Sequence, residues 1–216
     1  MNTYAIGSSE LTYDLIEQLL KDKTKLVLSD EAVAKIQHCR DHLDSKMEDT
    51  SKPIYGVTTG FGSLCNRTIS TDDLSTLQEN LVKSHSCSIG QPIDETIIRL
   101  MLLLKAHALS MGFSGVQVET VQRILDFYNN DILPVVYDRG SLGASGDLAP
   151  LANLFLPLIG EGEVFHNGKR FKGSEILNIF GWRPIKLKSK EGLALLNGTQ
   201  FMSANGIKAL IDGWHM

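Results

Sequence analysis

Apolar residues recur at helical spacing along most of the 216-residue chain, and the segments they mark open and close on recognisable signals. Ser29, followed by Asp30-Glu31, opens a segment that offers Val33, Ile36, His38 and Leu43 to one broad face and runs to about Lys46. After a polar stretch from Glu48 to Pro53, a second helix is expected from Thr71 to about Ser86. Asp72 and Asp73 fall in its first turn, where carboxylates favour the positive end of the helix dipole. A third, from Asp94 to about Met111, is apolar on nearly all sides, the pattern of a helix buried among others. Val116 to Asn129 reads as amphipathic and closes before Pro134, and Asp147 to Ile159 reads as a helix entered through Gly146 and ended by Gly160. From Thr199 to Met216 apolar residues again fall at helical spacing, and the chain stops with neither a cap nor a polar tail, as a cut chain would. One hairpin stands out, Glu163 to Phe171, where apolar residues flank an Asn167-Gly168 turn suited to type I′ geometry. The pattern predicts a mainly α chain with a minor β hairpin, without internal repeats, low-complexity tracts or an interdomain linker.

Composition narrows the classes. With 21 Lys+Arg against 25 Asp+Glu and a formal charge of −4, the chain lacks the cationic excess that binds a phosphate backbone, so no nucleic-acid partner is expected. The longest apolar run, Leu100 to Leu104, is bounded by Arg99 and Lys105, far short of the roughly 20 residues a spanning helix needs, so no membrane association is expected. Met1 to Glu10 has no basic segment followed by an apolar one, which makes the cytoplasm the expected location. Cys39, Cys65 and Cys87 are odd in number and contain no CxxC pair, which fits reduced thiols rather than disulfides or a metal site.

Chemistry is concentrated in four glycine-containing stretches. Tyr55-Gly-Val-Thr-Thr-Gly-Phe-Gly62 is a loop whose backbone can approach a ligand closely; no Lys-Ser/Thr follows, and its glycine spacing is wrong for a dinucleotide site. Ser84-His85-Ser86-Cys87-Ser88-Ile89-Gly90 ends the second helix, and taken alone His85 there reads as a partner of the helix C-terminus. Glu191-Gly-Leu-Ala-Leu-Leu-Asn-Gly-Thr-Gln200 places Asn197 in a turn before the last helix. Gly140-Ser-Leu-Gly-Ala-Ser-Gly-Asp-Leu-Ala-Pro150 holds the tripeptide Ala144-Ser145-Gly146. In a tight bend the Gly146 amide nitrogen can attack the Ala144 carbonyl carbon. Loss of two waters, one of them from the Ser145 hydroxyl, then yields a methylidene-imidazolone ring, an electrophile that no standard side chain supplies.

Taken together and in this order, YGVTTGFG, LQENLVKSH, GSLGASGDLAPLA and EGLALLNGTQ strongly resemble the aromatic amino acid ammonia-lyases, from about Leu26 to the end of the chain. The resemblance implies the N-terminal helical domain of the ammonia-lyase (aspartase/fumarase-like) fold, assembled as a homotetramer. It also implies the non-oxidative elimination of ammonia from an aromatic amino acid, without an external cofactor or metal. By likeness, Ala144, Ser145 and Gly146 form the autocatalytic 4-methylidene-imidazol-5-one, Tyr55 is the base that removes the β-proton, Asn197 hydrogen-bonds ring or substrate, and His85 contacts the substrate's side chain. The Ser84-His85 pair resembles the histidine-specific pattern, which implies L-histidine as substrate and trans-urocanate as product. Tyrosine or phenylalanine lyase, aminomutase, and a catalytically silent helical assembly module stand as alternatives. The sequence departs from the family pattern at Thr58, where asparagine is usual, and at Ser88, where glycine is usual. Family chains are more than twice as long, so residues 1–216 read as the N-terminal active-site domain with the C-terminal half absent, and inactive alone. An ordinary tyrosine is a poor base at neutral pH, so Tyr55 needs an electropositive field; the N–H groups that start the Asp147 helix are one expected source.

Overall fold

The computed structural model describes residues 2–48, 54, 57, 59, 73–141 and 143–216. The chain opens with a unit that the hydrophobic pattern did not predict. Strands β1 (Thr3–Ile6) and β2 (Lys25–Leu28) pair in parallel, Thr3 opposite Lys25 and Ile6 opposite Leu28, with helix α1 (Tyr13–Lys21) between them. Thr12 starts α1 by accepting from the Leu15 amide at 3.3 Å, and Ile16 and Leu19 are its buried residues. Asn129 takes the place of a third strand: its amide accepts from Leu26 N and donates to Leu26 O, both at 2.8 Å.

Helix α2 (Asp30–Glu48) begins where expected, with Ser29 Oγ accepting from Ala32 N at 3.1 Å. Its face differs from the expected one. Ala32, Ile36 and Arg40 are buried, Leu43 is half-buried, and Val33 and His38 are exposed. Arg40 is the reason a charged residue joins the stripe: its guanidinium donates to Gly115 O at 2.6 Å, Ser189 O at 2.9 Å and Ser189 Oγ at 3.2 Å, and pairs with Asp44. A cation so supplied with acceptors is tolerated where an unpaired one is not.

Helix α3 (Leu74–His85) begins at Leu74, so Asp73, expected in its first turn, stands just before it; the expected start Thr71 and the other first-turn acid Asp72 lie outside the described residues. Strand β3 (Ile89–Pro92) leads into α4 (Glu95–Ser110), started by Asp94 Oδ1 accepting from Thr96 N at 2.8 Å, a cap worth about 1 kcal/mol. α4 is buried along nearly its whole length, from Ile97 to Ser110. After α5 (Val118–Asn129) come β4 (Leu133–Pro134) and β5 (Tyr137–Arg139), which pairs antiparallel with β3.

Helix α6 (Leu148–Phe155) stops four residues short of the expected Ile159. Pro157 has no N–H to give to the Asn153 carbonyl, and the chain tightens into a 3₁₀ turn at Leu156–Ile159, closed by Gly160 at φ +82°. Strands β6 (Glu163–His166) and β7 (Lys169–Lys172) form the predicted hairpin in register Glu163 to Lys172, with β4 on the outer edge of β6. Asn167 and Gly168 both take positive φ, +50° and +70°, as a type I′ turn demands. Helices α7 (Gly173–Ile179), α8 (Glu191–Leu196) and α9 (Gln200–Trp214) complete the chain. α4 packs against α5, α9 and α2, which puts the all-round apolar helix at the centre of the core, while α3, α6 and α8 pack on one another beside it. The fold is mainly helical with small sheets, and no helix among the described residues is long and apolar enough to cross a membrane.

Candidate active site

Three helix ends meet at the Ala144-Ser145-Gly146 segment. The segment is a tight turn: Gly146 N donates to Gly143 O at 3.2 Å, and Gly146 holds φ +107°, a conformation that residues with a Cβ rarely adopt. Gly146 also lies against Gly198 as a bridged pair, and a Cβ built on Gly146 would fall 2.3 Å from the Gly198 carbonyl oxygen. Only glycine fits. Ala144 and Ser145 project from the turn with exposed side chains, unencumbered by the packing that pins Gly146.

The residue after the turn fastens it. Asp147 N donates to Gly198 O at 2.8 Å, and the buried Asp147 carboxylate accepts from Ser141 Oγ at 2.8 Å and from Met202 N, in the first turn of α9, at 2.9 Å. Asp147 does precede a helix, as expected, but its side chain makes no capping bond to α6; it ties the glycine loop to the start of α9 instead. One N–H at the start of α6 is thus spent on Gly198.

Asn197 is the residue that ends α8, with its N–H on Leu193 O at 2.9 Å and an exposed side chain. Its main-chain oxygen accepts from Lys105 Nζ at 3.0 Å, and the same amine donates to Ala194 O at 3.0 Å. Lys105, on α4, is 1% exposed, and burial pulls its pKa from 10.5 down to about 7. At the other end of α8, Gln78 Oε1 accepts from Gly192 N at 2.9 Å, which joins α8 to α3. Glu191, fully buried, accepts from Gln117 N, Gln117 Nε2, Thr120 Oγ1 and Lys188 N at 2.6–2.8 Å, two donors for each oxygen.

His85, the last residue of α3, is half-buried. Its Nδ1 lies 2.8 Å from Leu81 O and 3.2 Å from Ser84 Oγ, and Ser84 Oγ itself donates to Leu81 O at 3.1 Å. Nδ1, held against that carbonyl, is placed to donate to it. The loop after His85 is tied to the glycine stretch by β3 and β5 and by the close approach of Ser88 to Gly140, where an added Cβ would lie 2.3 Å from Ser88 Oγ. The structure therefore brings Gly146 directly against the neighbour of Asn197, and links the His85 segment to the same loop through Gly140. Tyr55 lies outside the described residues, as do Thr58 and Cys65; Val57 and Thr59, on the same stretch as Tyr55, are buried. Cys39 and Cys87 are free thiols.

Sequence reasoning missed Lys105, Gln78 and Glu191. Their partners are mostly main-chain groups or residues distant in sequence, and the one available signal was a lysine directly after the apolar run Leu100 to Leu104. Among the described residues no cluster of histidine, cysteine, aspartate or glutamate could hold a metal ion.

A mainly helical chain in which a small-residue turn is pressed against the end of one helix by the start of the next has a family counterpart. The sequence model of the aromatic amino acid lyases matches residues 11–216, and the chain belongs to that family. It is 45% identical over 212 residues to the histidine ammonia-lyase of Caldanaerobacter subterraneus subsp. tengcongensis, covering 98% of this chain and 42% of that protein. Among solved structures, the histidine ammonia-lyase of Trypanosoma cruzi superposes with TM-score 0.86 at 37% identity over 98% of this chain and 40% of that one. The phenylalanine aminomutase of Pantoea agglomerans superposes with TM-score 0.87 at 30% identity, over 99% and 42% respectively. The chain thus spans about two-fifths of the length of the relatives it matches.

Proposed function

We propose that this chain carries the electrophile-bearing part of a histidine ammonia-lyase, a carbon–nitrogen lyase that eliminates ammonia from L-histidine to give trans-urocanate. The observation that carries the reading is the apposition of Gly146 and Gly198, which sets Ala144-Ser145-Gly146 beside Asn197. The curated relatives, named as histidine ammonia-lyases, support the choice of substrate.

Ring formation suits the residues present. A turn that folds Gly146 N back to 3.2 Å from Gly143 O holds the intervening peptides bent, as closure of Gly146 N onto the Ala144 carbonyl carbon requires. The new C–N bond forms as the Ala144 oxygen leaves as water. The Ser145 Cα proton and Cβ hydroxyl leave as the second water, which creates the exocyclic double bond. Glycine at 146 leaves the attacking nitrogen unhindered, and the small Ala144 keeps its carbonyl open. The ring supplies an electrophilic methylene that captures substrate and turns a poor leaving group into a better one.

The chain's own residues then bind and move protons. Asn197 donates to the ring or to the substrate from the end of α8. His85, with Nδ1 committed to Leu81 O, offers Nε2 to the substrate's side chain. Tyr55 takes the β-proton. The assembled form of the enzyme is a homotetramer.

The test is to offer the gene product that carries residues 1–216 L-histidine, L-tyrosine and L-phenylalanine separately, and to follow the unsaturated acids by their distinct ultraviolet absorption. Urocanate from histidine alone is expected. Coumarate or cinnamate instead moves the assignment to a tyrosine or phenylalanine lyase, a β-amino acid moves it to an aminomutase, and no product from any of the three overturns the enzyme reading.

A further inference from the structure

Lys105 is the one lysine in the buried stretch of α4, and its contacts with the described residues are two main-chain oxygens and an aromatic ring. The neighbouring Met101, Leu102 and Ala106 are buried, and the Phe155 ring centroid lies 6.0 Å from Nζ. Among the described residues no carboxylate pairs with it. An amine in such a place carries a large desolvation cost unless its hydrogen bonds are placed where they are needed. Both of them go to one short element. The Ala194 and Asn197 oxygens are carbonyls at the C-terminal end of α8, where four acceptors lack helical partners and the helix dipole is negative. α8 is six residues long, too short to hold its own end firmly.

The next main-chain oxygen, that of Gly198, accepts from Asp147 N at 2.8 Å and stands 2.3 Å from where a Gly146 Cβ would be. The path from Lys105 to the reactive turn is therefore two consecutive carbonyls: Asn197 O on the amine, and Gly198 O on the amide that follows Gly146. Asp147, which grips the turn from the other side, is anchored to Met202 and Ser141 and not to α8. Nothing in that second set of bonds replaces the hold of Lys105 on the end of α8.

We propose that Lys105 is a positioning residue for the electrophile: by donating to Ala194 O and Asn197 O it fixes the end of α8, so that Gly198 presses on Gly146 and the Ala144-Ser145-Gly146 turn is held bent for cyclisation, with Asn197 aimed at it. The proposal rests on the functional reading above for its ring, but not for its geometry.

The test compares the gene product carrying this chain as wild type, Lys105→Met and Lys105→Arg. Methionine fills similar space without donating; arginine restores donors. Amide hydrogen exchange at Asp147, whose N–H is on Gly198 O, reads the apposition. It is expected to run about tenfold faster in Lys105→Met and near the wild-type rate in Lys105→Arg, with Leu102 and Leu103 in the middle of α4 unchanged. A general loss of packing would move all of these amides together. The fraction of the Ala144-Ser145-Gly146 peptide that has lost two waters is expected to fall about tenfold in the methionine variant and to recover with arginine. A folded Lys105→Met protein whose Asp147 amide exchanges at the wild-type rate overturns the proposal. If that variant does not fold, Lys105→Gln takes its place, and since its shorter amide cannot span both carbonyls the same faster exchange supports the proposal and an unchanged rate overturns it. A wild-type protein with no two-water loss overturns the functional reading, while the exchange comparison still decides for or against Lys105.

Discussion

Gly146 and Gly198 touch backbone to backbone: a methyl group on Gly146 would sit 2.3 Å from the Gly198 oxygen, while Gly146 itself holds φ +107°. The glycine is thus required twice, once by the space in front of it and once by its own backbone. The two segments that this contact joins, Gly143–Gly146 and the end of α8, lie about fifty residues apart and carry the residues assigned to the electrophile and to its hydrogen-bonding partner.

Gly146→Ala is therefore expected to cost about 2–4 kcal/mol, from the backbone conformation and the forced separation from Gly198 together. Ring formation should be lost with it. Denaturant unfolding and peptide mass check both, and a variant of wild-type stability would contradict the contact.

Ser145→Ala separates chemistry from stability. The Ser145 side chain is exposed, so the change should leave unfolding free energy within about 0.5 kcal/mol of wild type. Without the hydroxyl the exocyclic double bond cannot form, and turnover of L-histidine should vanish. An alanine variant that still turns over would remove the ring from the mechanism.

At Asp147 two substitutions should differ in a defined way. In Asp147→Asn the amide can still accept from Met202 N, while the Ser141 hydroxyl turns to accept from it, so about 1 kcal/mol is lost with the charge. In Asp147→Ala the Met202 N–H and the Ser141 hydroxyl both lose their acceptor, and a larger loss of about 2–3 kcal/mol is expected. Equal costs for the two would show that the Asp147–Met202 bond does not hold α9 to the loop.

Lys105 gives stability a pH dependence of known sign. Its folded pKa is about 7 and its ordinary value 10.5, so between these the unfolded chain holds a proton that the folded chain has released. Stability should rise with pH across that window, by about 1 kcal/mol per unit from pH 7.5 to 9.5, and level off above it. Lys105→Met should remove this slope. A wild-type and a methionine variant with parallel pH profiles would place the amine's proton elsewhere.

What the sequence made legible followed from local chemistry. The β6–β7 hairpin was readable because Asn167-Gly168 is the turn pair whose positive φ angles match the strand twist, and the α2 start because Ser29 caps it within three residues. α4 was readable as buried, because apolar residues on nearly every side leave little solvent face. The β1–α1–β2 unit was not legible, because strands of four residues are too short for alternation to register. The apolar face of α2 was misplaced by two side chains, since a buried Arg40 cannot be told from an exposed one until Gly115 and Ser189 are seen to accept from it. In the site, the tripeptide and Asn197 were readable as types, and their juxtaposition was not. It is made by contacts onto main-chain groups, Asp147 N on Gly198 O, Lys105 on Asn197 O and Gly192 N on Gln78, and since every residue carries such groups the sequence does not mark which ones will be met.

Lyase chemistry in this chain depends on Ala144-Ser145-Gly146 becoming an electrophile. The tryptic peptide Gly140–Lys169 from the gene product carrying this chain contains that tripeptide whole, and its mass reports whether the ring has formed. The peptide is expected to be lighter than its sequence by two waters, with the deficit mapped by fragmentation to residues 144–146 and absent in Ser145→Ala. An unmodified peptide from protein that converts L-histidine to urocanate would contradict that dependence.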